Sequence, residues 1–198
     1  MTKGKLNIES LEAFHALVQR YLKADQENDT ATQLDILRAL IRSEQEDYQR
    51  KLRLLAELNT LMNETRAARG TADRVSKLIT AFKFAADLRA IGYDELADQE
   101  TGEKATDAVH NIFSKLKRID PEGTAALVKL FDDPSPSVRS FAAVLLLHEM
   151  PERAIPVIEG VERTAPASNA SIAAGFALSH YRRELKRKSQ TTTPSSTS

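Results

Sequence analysis

Residues Thr124 to Leu147 read TAALVKLFDDPSPSVRSFAAVLLL, and this stretch decides the fold. Leu127, Leu130 and Phe131 give a first short helix one apolar edge. Asp132-Asp133-Pro134 ends it, and Val138, Phe141, Ala142, Leu145 and Leu146 give a second helix a matching edge. The tight turn between them is read as carrying a buried ionic staple. A helix pair of this size cannot bury its apolar face alone. It stacks on neighbours and builds an extended surface, whose usual use is gripping another protein.

Outward from this pair the chain keeps helical period. Leu11, Phe14, Leu17, Val18, Tyr21 and Leu22 form a stripe capped by Asn7 or Ser10 and ended by Asn28-Asp29-Thr30. Leu34, Leu37, Leu40 and Ile41 lead on to Tyr48, Leu52, Leu55, Leu58, Leu61 and Met62 with no Gly or Pro before Gly70, which predicts one very long helix or two with a kink near Ser43. The near-heptad row from Tyr48 to Met62 suits a helical hairpin or a coiled-coil seam, with intramolecular packing the favoured use. Arg66 to Asp73, with Gly70 and Thr71, is the best internal boundary. A helix follows from about Ala72 to Ile91, stopped by Gly92. The acidic segment Asp94 to Glu103 is expected to be a loop or ragged turn, and the next helix to run from Ala105 to Arg118. Pro121 opens the quoted pair, where its missing N–H costs little. Two more helices are expected, Glu152 to Arg163 and Ser168 to about Arg187. Setting Phe141-Ala142 against Phe176-Ala177 gives an offset close to the spacing of helix-pair repeats. The polar end SQTTTPSSTS is expected to be disordered.

These readings predict an all-α fold of about seven or eight helices. An N-terminal helical hairpin (1–70) packs on a repeat bundle (71–188), and a tail (189–198) follows. A helical chain of 198 residues buries roughly 70% of its unfolded surface, so no staple is required. There are no cysteines, which removes disulfides, thiolate zinc sites and thiol nucleophiles and fits a reducing compartment. The opening MTKGKLNIESLEAF lacks the apolar core of a signal peptide, and the longest apolar run, Phe141 to Leu147, is far short of the ~20 residues that span a bilayer. A soluble cytoplasmic chain with no membrane partner is predicted. With 28 basic and 28 acidic side chains, no global field draws nucleic acid.

The segment Asp132-Asp133-Pro134-Ser135-Pro136-Ser137-Val138-Arg139, followed by Ala142 and Ala143, resembles the inter-helix turn of HEAT repeats. That resemblance implies that Asp133, Pro134 and Arg139 form a structural turn bracing successive repeats. From Ala81 to Arg183 the chain also resembles the bacterial domain of unknown function 2019 family. The match rests on Ala126-Leu127, Leu130, Pro134, Ser137-Val138-Arg139, Ala142-Ala143, Pro151-Glu152, Ala154, Ile158 and the Ala173 to Leu178 helix. The histidine and asparagine usual beside the turn proline are Asp133 and Ser135 here. The family implies a compact HEAT-like fold and no established activity.

Catalytic and metal chemistry find little support. His15, His110, His148 and His180 lack the three- or four-residue spacing of paired metal ligands, and His148-Glu149 only begins the His-Glu-x-x-His pattern before Pro151 interrupts it. Asp107 and His110 share a face, which reads as a surface contact. The acidic segment lacks the register of a calcium loop, and the seven glycines are scattered singly, so no phosphate loop is present. No cofactor or metal is expected, and the chain is read as a non-enzyme.

Two binding readings remain. The first is a bacterial immunity protein that neutralises a toxin, its partner face formed by Asp94, Glu95, Asp98, Glu100 and Asp132, because acidic loops suit a basic partner. The second is a structural adaptor or homodimer built through the N-terminal hairpin. A nucleic-acid binder ranks third. Its basic patch would be Arg182, Arg183, Lys186, Arg187 and Lys188, which the dipole at a helix C-terminus explains as well.

Overall fold

The computed structural model describes residues 11–27, 29–96, 98–165 and 168–191, and for 11–15, 190 and 191 the backbone alone. Among them are eight α-helices and no strand: α1 Leu11–Gln26, α2 Thr30–Ala67, α3 Thr71–Ala90, α4 Gln99–Lys117, α5 Glu122–Lys129, α6 Pro136–Leu146, α7 Pro151–Thr164 and α8 Asn169–Thr191. The chain forms two compact units, residues 1–53 and 54–198. The division between them falls within α2. Its cause is packing: Leu58 is buried in the core of the second unit, and Leu54, Leu55, Leu61 and Met62 lie against it. The residues after Thr191 and the expected N-terminal caps lie outside the described residues.

In the first unit Leu17, Ala24 and Ile36 are buried. Asp29 starts α2 by accepting Thr32 N at 3.1 Å and Thr32 Oγ1 at 2.5 Å. These bonds hold its carboxyl below the usual range. The helix then runs unbroken past Ser43.

In the second unit α3 packs on α4, and α6 packs on α7 and α8. Gly70, at φ +81°, supplies the left-handed residue that admits the chain to α3. Asp73 in the first turn accepts the backbone N–H of Arg69 at 2.8 Å, and Lys77 lies 3.2 Å from the same carboxylate. The core gathers Leu78, Phe82 and Leu88 of α3 with Val109, Ile112 and Leu116 of α4, Leu127 of α5, and buried faces of α6, α7 and α8.

Gly92 does not stop α3. A π-helical turn, Ile91–Glu95, continues it, and α4 begins at Gln99, so most of the expected acidic loop is helical. The glycine serves close approach: a Cβ on Gly92 would sit 2.8 Å from Gly102 N, and one on Gly102 would sit 2.4 Å from the Tyr93 ring. Arg89 lies 4.9 Å from the Tyr93 ring centroid and 5.3 Å from that of Phe141, joining this turn to α6.

Ser135 caps α6 by accepting Val138 N, with Pro136 in the first turn. Ser168 caps α8 by accepting Ser171 N at 3.2 Å. In α7 Ala154, Ile158 and Val161 are fully buried, and Pro156 sits early in the helix. The repeat offset read from the paired Phe-Ala dipeptides is not in phase with burial. Phe176 is 70% exposed, whereas one residue further along Ala174 and Leu178 are buried in register with Val138 and Ala142.

Candidate functional site

A row of large apolar side chains on α2 is exposed. Leu34, Leu37, Ile41, Tyr48 and Leu52 are all more than two-fifths exposed. At 3.6 residues per turn they fall on one stripe roughly 27 Å long. Ile36, on the opposite side of the same helix, is 1% exposed. The near-heptad row thus divides: Tyr48 and Leu52 face solvent, whereas Leu58 is buried in the second unit. A second exposed pair, Ile172 and Phe176, occupies adjacent turns of α8. Isolated exposed apolar residues are ordinary, whereas a continuous stripe is not.

The predicted acidic face is only partly available. Asp94 and Glu95 stand exposed on the π-helical turn, and Asp132 is exposed at the end of the 3₁₀ turn Leu130–Asp132. Asn169 Nδ2 donates to Asp94 Oδ1. Thr101 Oγ1 donates to Asp98 Oδ2 at 2.5 Å, and Glu100 pairs with Lys104 at 2.7 Å. These partners reduce the field that the cluster presents.

The Asp133–Pro134–Arg139 turn is held by hydrogen bonds, and its wiring differs from an acid–base staple. Arg139 Nη1 donates to the backbone carbonyls of Asp133 at 2.6 Å and Pro134 at 3.0 Å. The Asp133 carboxylate is buried, accepts Ser135 N at 3.0 Å, and pairs with Lys83 of α3 at 2.8 Å. Ser135 Oγ in turn donates to Asp87 Oδ1 at 2.5 Å. Burial pushes the Asp87 carboxyl up, and nearby Asp133 adds to the rise, while Ser135 and Lys83 oppose it. The turn is therefore latched to α3.

At the basic end of α8, Arg182 pairs with Glu159 of α7 at 2.6 Å, and Arg183 Nε donates to Ser179 O at 3.3 Å. Lys186, Arg187 and Lys188 are exposed along the same helix. The fold brings together two histidines far apart in sequence: His148 Nε2 lies 4.0 Å and His180 Nδ1 3.8 Å from opposite oxygens of Glu184. Asp107 and His110 face solvent. Among the described residues no group of three or more His, Asp and Glu is placed to hold a metal, and no helix is long and apolar enough to cross a membrane.

Sequence reasoning did not find the solvent-facing role of Leu34, Leu37 and Ile41, nor that of Ile172 and Phe176. Helical period shows that these residues share a face. It does not show whether that face is covered. No protein-family model matches the chain, and no curated protein or solved structure matches it.

Proposed function

We propose that this chain is a non-catalytic protein-binding module, built of HEAT-like helix pairs and working in the cytoplasm, whose contact surface is the apolar row of α2. The exposed stripe Leu34–Leu37–Ile41–Tyr48–Leu52 carries the reading. Covering each of these half-exposed side chains contributes about 1 kcal/mol. Leu34, Ile41 and Tyr48 recur every seventh residue, the spacing that receives a partner helix. Leu37 takes the intervening apolar position, but the equivalent positions one and two heptads on are Glu44 and Lys51. A parallel second copy would set Glu44 against Glu44 and Lys51 against Lys51. The row therefore favours a helix of a different subunit, or an antiparallel copy that pairs the two charges. A photo-reactive residue placed at position 41 or 48 tests this. Cross-links to a defined segment of a partner support it, and yields no higher than from position 38 overturn it.

A second reading, an immunity protein that binds a basic toxin, is favoured by the exposed carboxylates of Asp94, Glu95 and Asp132. Its test is protection of cells from the toxin. Asp94→Asn with Asp132→Asn would abolish protection, while Ile41→Glu would leave it intact.

A further inference from the structure

Below the turn that joins α2 to α3, the second unit carries a cleft of about 280 Å³. Arg66, Arg74, Lys115 and Arg118 line it with Thr65 and the apolar Leu78 and Ile119, and among the described residues no carboxylate is in its walls. Four cations from three separate stretches of chain converge on one cavity. Its volume lies just below the ~300–1,000 Å³ of small-molecule sites. Helix dipoles account for some of these positions: Arg66 lies in the last turn of α2, Lys115 in that of α4, and Arg118 directly after it. They do not account for Arg74, which stands at the start of α3, the positive end of that helix. Asp73 does not neutralise it through a committed pair, because its carboxylate is engaged by Arg69 N and Lys77. Arg66 has a neutral partner, Asn63 Oδ1 at 3.1 Å.

We propose that this cleft binds a small, multiply charged phosphorylated anion, a phosphate monoester or diphosphate clamped by Arg66, Arg74, Lys115 and Arg118. Guanidinium groups offer paired N–H donors matched to phosphate oxygens, and Lys115 adds a point charge to the lining. Burial draws the Lys115 amine below its usual range, and the positive charges of Arg66 and Arg118 draw it further. An anion in the cleft offsets that repulsion. The inference is independent of the α2 row.

The test is calorimetric titration of the full chain with inorganic pyrophosphate, at low ionic strength and at physiological salt. One saturable site is expected. Arg74→Met and Lys115→Met each weaken it by about tenfold or more, Lys115→Arg retains it, and Arg183→Met and Lys186→Met leave it unchanged. Arg74 is exposed, so its variant folds, and a circular dichroism melt verifies this. The Lys115 amine, followed by NMR, titrates at higher pH once pyrophosphate is bound. No saturable heat, or equal losses in the α8 variants, would overturn the proposal.

Discussion

Lys83 Nζ of α3 stands 2.8 Å from Oδ2 of Asp133, whose side chain is only 6% exposed, so the acid of the inter-helix turn is neutralised from a neighbouring helix and not by Arg139. Arg139 instead satisfies the carbonyls that the turn leaves without helical partners. The two cations therefore act on different groups. A double-mutant cycle between Lys83→Met and Asp133→Ala is expected to show coupling of about 1–3 kcal/mol, and one between Arg139→Met and Asp133→Ala under about 0.5 kcal/mol. Urea titrations measure both. The reverse ranking would restore the acid–base staple.

Asp87 contributes a pH dependence opposite to that of most paired carboxylates. Burial raises its folded pKa above the usual aspartate range, so between the unfolded and folded pKa the native state holds more protons and stability falls as pH rises. The penalty persists above that window and is absent below it. Asp87→Asn keeps an acceptor for Ser135 and removes the charge. It is expected to be at least as stable as the parent near pH 7, with the gap closing as pH falls toward 4. Thermal melts across this range check the sign; a gap that widens on acidification would contradict it.

Glycine to alanine gives opposite results at two positions. At Gly123 a Cβ would lie 2.0 Å from Leu116 O, and no flexible side chain can yield there. Gly123→Ala is expected to cost about 3 kcal/mol. At Gly160, inside α7, nothing lies within 4 Å of the added atom. Gly160→Ala is expected to stabilise by about 0.5–1 kcal/mol through helix propensity. Melting temperatures of the two variants decide this.

Local chemistry made much of the fold legible. Gly70 ends one helix and admits the next, Ser135 with Pro136 starts α6, and the buried face of α7 follows from its period. Long-range packing was not legible. Gly92 reads as a stop because glycine is a poor helix former, yet its place is set by Gly102 across a helix interface. The division at Arg53 is invisible because the apolar row keeps its phase while what covers it changes. The basic cleft escaped for the same reason: Arg66, Arg74, Lys115 and Arg118 form no run in sequence and meet only when α2, α3 and α4 are in place. Asp133 and Arg139 were legible as turn residues, whereas Lys83, fifty positions away, was not.

The exposed row on α2 is expected to tolerate polar substitution. Ile41→Glu and Tyr48→Glu should each change stability by less than about 0.5 kcal/mol, since both side chains are more than half exposed. A larger loss in either would mean that the row is covered within the chain.

The most direct measurement is affinity capture of the tagged chain from its native lysate, with retained proteins quantified by mass spectrometry for the parent and for the Ile41→Glu, Tyr48→Glu double variant. The parent is predicted to retain one protein, or untagged copies of itself, at a stoichiometric level that the folded variant loses. Equal retention by the two, or a parent chain that retains nothing and sediments as a monomer, would contradict a binding surface on α2.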